Sequence, residues 1–180
     1  MTRLGLRSAL VTLLLLSIPA IGMQVSREWN WGPGDFLFFG GLIFGTGFTF
    51  ELFVRRHRDR AYRVGLALSL LTSLALVYVN LAVGMLGDED HDPVNAVYFG
   101  VVALGATGAF VARFEPGGMF RAALVVVAAQ ALVTITALAL GLHGAPTGPV
   151  KTTAANLVVL ALYASAAACF RLSARRSLPA

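Results

Sequence analysis

Two carboxylates stand within or at the edge of apolar stretches, Asp35 and Glu51, and paired carboxylates are a common apparatus of general acid–base chemistry. They lie sixteen residues apart on one apolar run. On a helix that spacing is about 24 Å of rise and about 160° of rotation, so the two cannot hold one substrate. Each is therefore read alone. Asp35 opens its run, where a carboxylate can cap a helix and meet its positive end; a binding role is the alternative. Glu51 stands four residues before Arg55, the spacing of a helical ion pair, on a face shared with Gly40, Phe44 and Gly47. It is the second candidate binding group.

The other candidates are uncharged. Gln130 and Thr72, with Thr134 nearby, fall near the middle of their apolar runs, whereas Asn80, Asn95 and Asn156 fall toward one end of theirs. Gln130 is expected to hydrogen-bond a neighbouring helix. Asn80, Asn95, Asn156 and Asp35 would form a polar cluster if their helices converge, and this is the best binding site the residues offer. A run of acids, Asp88-Glu89-Asp90-His91-Asp92, starts like a calcium loop. It has Pro93 where such a loop needs glycine and lacks the later glutamate, so Asp88, Asp90 and Asp92 are weak cation ligands at best. Cys169 is the single cysteine, which excludes an internal disulfide and any paired-cysteine metal or redox site. It reads as a buried, unreactive thiol, with acylation near a membrane edge as the alternative. No nucleophile elbow, zinc-binding helix or phosphate loop is present. No cofactor is expected, and catalytic residues cannot be assigned.

What must position these residues follows from composition. Of 180 residues, 57% are apolar and 13% charged, roughly half the charge a water-facing surface carries. Mean hydropathy is +0.76. Such a chain is neither a soluble globule nor a disordered tail. Six apolar stretches, 8–25, 35–54, 62–86, 94–112, 119–142 and 152–170, each approach or exceed the ~17–25 residues that cross a bilayer as a helix. An open sheet could not satisfy its backbone in lipid, so the expected fold is an all-α transmembrane bundle forming a single domain over 1–180. The connections NWGPGD, DEDHDP, FEPGGM and GAPTGP carry turn residues.

Charge then sets an orientation. Arg3, Arg7, Arg55, Arg56, Arg58, Arg60, Arg63, Arg113, Arg121, Arg171, Arg175 and Arg176 make twelve of the 14 basic residues, and all fall on one side of the six-span arrangement. The other side has Arg27 and Lys151, together with Glu28, Asp88, Glu89, Asp90 and Asp92. The positive-inside rule places both termini in the cytoplasm and the acidic loop outside. The same rule accounts for the net charge of +5, so nucleic acid is not an expected partner. The bilayer is, with anionic headgroups drawn to Arg55, Arg56, Arg58 and Arg60. The first stretch has a second reading, a signal peptide cleaved after residues 1–22 at Ala20-Ile21-Gly22. The apolar run continues to Val25, which favours retention as a span.

The second stretch holds Gly40, Gly41, Gly45 and Gly47 with seven of the twelve phenylalanines. Gly41 and Gly45 form a small-xxx-small pair expected to pack against a neighbouring helix or, alternatively, a second copy of the chain. The fourth stretch has a similar set in Gly100, Gly105 and Gly108. Trp29, Trp31, Tyr62 and Tyr98 are expected at the membrane interfaces. The spans pair as three hairpins opened by Arg7, Arg63 and Arg121 and closed by Arg55, Arg113 and Arg171. A triplicated unit would give that spacing, but so would any three antiparallel pairs of spanning helices, and identity along the helices is poor.

The stretches NWGPGDFLFFGGLIFGTGFTFEL and VNLAVGMLGDEDHDPVNAVYFGVVALGATGAFVARFEPGGM resemble small multi-pass bacterial inner-membrane proteins of unknown function. The resemblance implies a location in the inner membrane and transfers no activity or site residue. The expected role is non-enzymatic: binding or passing a small solute, or serving within a membrane assembly. The alternative is a membrane-embedded enzyme acting on a lipid-like substrate, with Asp35 or Glu51 as acid or base.

Overall fold

A computed structural model describes residues 4–25, 31–82, 84–86, 93–143 and 148–177, and every regular element among them is helical. The elements are α1 (Leu4–Val25), α2 (Pro33–Arg56), α3 (Arg60–Ala82), a single 3-10 turn (Pro93–Asn95) leading into α4 (Ala96–Val111), α5 (Pro116–Leu140) and α6 (Gly148–Arg176). Six helical segments are long and apolar enough to cross a membrane. Arg3, Arg27, Glu28, Trp29 and the whole acidic run, with the suggested cation ligands Asp88, Asp90 and Asp92, lie outside the described residues.

Burial is inverted relative to a water-soluble protein. Leu14, Leu37, Phe110 and Val150 are 70–81% exposed, while Gln130 and Asn156 are at most 1% exposed. In water this would cost apolar surface outside and desolvated amides inside; in hydrocarbon the outer leucines are at home and the amides must bond to each other.

The chain divides into two units, residues 1–57 and 58–180. In the first, α2 begins sharply. Pro33 occupies its first turn, and the Asp35 carboxylate reaches back to accept the Gly32 N–H at 2.8 Å. This is the capping role, and it satisfies one of the orphan donors at a helix start. The hairpin closes through small residues: a side chain on Gly47 would lie 3.3 Å from Ser8 Oγ, and one on Gly40 would lie 3.2 Å from Leu16. Gly41 and Gly45 would meet nothing within 4 Å. The face expected to include Gly40, Phe44 and Gly47 is thus the packed one, whereas the Gly41/Gly45 pair is turned away from α1.

In the second unit α6 is the central element. It packs along α5 and along α3, α5 also carries α4, and α3 touches α4 only lightly. The expected third-and-fourth-helix hairpin is therefore the loosest neighbour pair of this unit. Close approach again depends on glycine. A Cβ on Gly65 would sit 3.1–3.2 Å from Cys169, Ala166 and Phe170, and one on Gly108 would sit 2.9 Å from Ala122. Leu76, Tyr98, Val101, Val126, Val133 and Tyr163 form the core among the four helices.

One boundary differs from expectation. The third stretch was expected to be helical through 86, yet α3 ends at Ala82. Gly84 has φ +68, a left-handed position that ends a helix, and a Cβ there would lie 3.1 Å from Asn95 Nδ2. Met85 and Leu86 then fold back into the core, 5% and 2% exposed, so their apolar character serves burial beyond the helix end.

Candidate functional site

The buried polar groups of the second unit meet at Asn156. Its Oδ1 accepts the Tyr98 hydroxyl at 2.8 Å and Gln130 Nε2 at 3.0 Å, and its Nδ2 donates to the Thr152 carbonyl at 3.0 Å. Three helices thus converge on one amide, since Tyr98 sits in the first turn of α4, Gln130 at mid-α5 and Asn156 in the third turn of α6. Thr134 returns its hydroxyl to the Gln130 carbonyl at 2.8 Å. The cluster is incomplete. Gln130 Oε1 is buried without a partner, and such an acceptor leaves the site short of donors.

A small cavity of about 50 Å³ opens between α5 and α6 beside this amide. Thr134, Thr152, Thr153, His143 and Asn156 bring its polar atoms. His143 Nδ1 is likewise buried and unpartnered. The volume exceeds the ~30 Å³ that one water occupies in the liquid, so the cavity admits waters or a very small solute. No carboxylate lines it or the two apolar grooves on α5 and α6, of about 410 and 380 Å³. Its chemistry is therefore hydrogen bonding to a neutral guest, without an acid or base of the carboxylate kind.

The sequence candidates separate. Gln130 does bond a neighbouring helix, as expected. Asn95 is consumed by structure: its Oδ1 accepts the Met85 and Leu86 N–H groups at 2.8 and 2.9 Å, and its Nδ2 donates to the Leu86 carbonyl at 2.8 Å. Asn80 donates to the Leu76 carbonyl at 2.8 Å and leans on the Met85 sulfur at 3.8 Å, with Oδ1 buried and unpartnered. The two asparagines therefore converge on Met85 rather than on Asn156. Asp35 is exposed on the first unit and holds its cap. Glu51 makes no ion pair with Arg55, and its Oε2 is buried without a hydrogen-bond partner.

Tyr98 and Tyr62 stand in the first turns of their helices but turn inward. Expected to anchor the spans near their ends, both rings are instead packed inside the unit, at most 1% exposed. Tyr98 is the third arm of the Asn156 hub. Tyr62 donates to the Phe114 carbonyl at 2.6 Å and meets the Phe170 ring edge-on at 5.5 Å. Periodicity could have raised Tyr98, because it lies three residues after Asn95 on the same helical face. Trp31 packs within its own unit, stacked on Phe39 at 4.9 Å.

At the opposite end of this unit lie the arginines. Asp59 pairs with Arg176 at 3.1 Å, and Gly118 abuts Ala112, so the starts of α3 and α5 and the ends of α4 and α6 share one end. The Ser173 hydroxyl chiefly holds the Asp59 carboxyl below its ordinary range, against desolvation and with help from Arg176 and the Ala61 N–H. Comparison with protein-family models, with curated proteins and with solved structures gives no match for this chain.

Proposed function

We propose that the chain is a multi-pass inner-membrane protein that binds a small, neutral, hydrogen-bonding solute in the Asn156 cavity. The observation that carries this reading is the cavity of about 50 Å³ bordered by an unpartnered His143 Nδ1. Thr134 and Asn156 share its wall, and a solute with both donors and acceptors would partner the imidazole and meet the lining hydroxyls. A guest of amide, urea or polyol type fits this chemistry. The lining carries no fixed charge, which sets the reading against an ion-coupled carrier.

Orientation follows the arginines. Both termini and the turn at Arg113 are placed in the cytoplasm, with the Asp88–Asp92 loop and the cavity mouth outside. Even crossing by six helices supports termini on one side. A reporter fused at Asp90 that is active only outside the cytoplasm would test this; activity there in the cytoplasmic form overturns it. A diffuse attraction of anionic headgroups to Arg55, Arg56, Arg58 and Arg60 follows from the same orientation.

The solute reading is tested by thermal denaturation of the purified chain in neutral detergent against urea, acetamide and glycerol. Binding raises the midpoint with concentration, and His143→Ala and Thr153→Val remove that rise while the unliganded midpoint changes little. If none of the probes shifts the midpoint, or both variants respond as the native chain does, the cavity is packing and the reading fails.

A further inference from the structure

A second pocket lies on the same helix pair, toward the arginine-bearing end, and nothing in the solute reading uses it. It is a groove of about 410 Å³ between α5 and α6. Alanines at 164, 167 and 168 keep the α6 side shallow, and Leu124 and Val127 face it from α5. Arg171 and Arg175 stand at one end of this apolar trough. The two arginines are one turn apart on α6, and the Arg171 guanidinium sits 6.0 Å from the Phe120 ring centroid. Neither has a carboxylate partner among the described residues, where the ion pair formed is Arg176 with Asp59.

Charge and shape together select the guest. A free anion would use the guanidiniums and leave the trough empty; an alkane would fill the trough and ignore the guanidiniums. An amphiphile with an acyl chain and an anionic phosphate uses both, and Arg offers the forked donors that phosphate accepts. A ring-stacked guanidinium is also partly ordered before it binds, which lowers the entropic cost of capturing a headgroup. Helix ends carrying basic residues beside a cleft are where anionic lipids settle in membranes. We propose that the α5–α6 groove holds an acyl chain of an anionic phospholipid, with its phosphate on Arg171 and Arg175. The proposal rests on the membrane-spanning reading and is independent of the Asn156 cavity.

The test uses the full chain in neutral detergent, with lipid binding read by native mass spectrometry for phosphatidylglycerol against phosphatidylcholine. The native chain retains phosphatidylglycerol at least about fivefold better. R171Q/R175Q abolishes that preference, and so does A168W, which fills the trough with both arginines in place. A164L serves the same purpose should the tryptophan prevent folding. K151Q, which removes an exposed basic residue at the far end of α6, leaves the preference unchanged. Retention of the preference in A168W and A164L would reduce it to general attraction of headgroups and overturn the groove. Equal binding of both lipids overturns it as well, as does full competition by inorganic phosphate. A chain that stayed in solution without detergent would instead overturn the membrane reading.

Discussion

The Tyr62 hydroxyl donates a 2.6 Å hydrogen bond to the carbonyl of Phe114, a residue 52 positions away in a left-handed conformation. Arg113 and Phe114 have φ of 50° and 59°, costly angles for side-chain-bearing residues. Tyr62 thus ties the left-handed turn between α4 and α5 to the start of α3. Replacing Tyr62 by Phe removes this hydrogen bond and lowers stability by about 1 kcal/mol. Arg113→Gly relaxes the turn and raises stability by about 1 kcal/mol. Thermal denaturation in detergent reads both, and opposite signs for the two variants are the expected outcome.

Asn95 holds the chain after α3. With Asn95→Ala the Met85 and Leu86 N–H groups lose their shared acceptor and the Leu86 carbonyl loses its donor. Amide hydrogen exchange at Met85 and Leu86 should then rise by an order of magnitude or more, since each buried hydrogen bond contributes about 1 kcal/mol. Gly84→Ala should show the same acceleration, because its φ of +68 and the nearby Asn95 amide both resist a Cβ. Unchanged exchange in both would mean that burial alone fixes this segment.

The hub is asymmetric in its tolerance. Asn156→Ala strands the Tyr98 hydroxyl and Gln130 Nε2 together and should cost about 2–4 kcal/mol. Gln130→Met removes one hydrogen bond but also removes an acceptor that is already buried and unpartnered, so it should cost under about 1 kcal/mol. Equal losses for the two variants would show that Gln130 Oε1 is satisfied in the folded chain.

Glycine positions divide by what they face. Gly108→Leu forces α4 from Ala122, where even a Cβ would sit at 2.9 Å, and should lower the denaturation midpoint by several degrees. Gly41→Leu and Gly45→Leu meet open space and should leave the midpoint of the monomeric chain within about a degree. A destabilisation at Gly41 equal to that at Gly108 would refute the packing described for the two hairpins.

Acid should weaken the Asp59–Arg176 end selectively. The folded-state pKa is lowered from 3.8, so the carboxylate's contribution is present above pH 3.8 and is lost as pH falls through the depressed value. The pair is partly solvent-exposed, and its contribution is at most about 1 kcal/mol. The stability difference between the native chain and Asp59→Asn, measured from pH 6 down to pH 2.5, should shrink toward the acid end. A constant difference would place the effect of Asp59 elsewhere than in its charge.

Hydropathy and punctuation made the helices legible, because a span must be apolar over a length set by its solvent. The α1–α2 seam was also visible, through the Gly40, Phe44 and Gly47 face. The error at Leu86 has a physical source: a buried loop and a helix end have the same hydropathy, and the decisive feature was the left-handed Gly84. Gly41 and Gly45 are not used by α1 for a related reason. A motif records that close approach is possible, and the rotation of the helix decides whether it is used. Asn156 was seen, but its partners were not, since pairing a mid-helix glutamine with an asparagine and a tyrosine requires knowing that α6 lies between α3 and α5. The cavity at His143 left no signal in the residues at all.

Gathering Arg58, Arg60, Arg63, Arg113, Arg121, Arg171, Arg175 and Arg176 at one end makes the four-helix unit a one-way object. Turning it over would drag eight guanidiniums through oil, at about 2.5–3.5 kcal/mol apiece on the most lenient scale. On the orientation proposed above, every inverted copy in a mixed population would carry that penalty. Such a penalty would hold one pole of the unit toward one compartment from insertion onward.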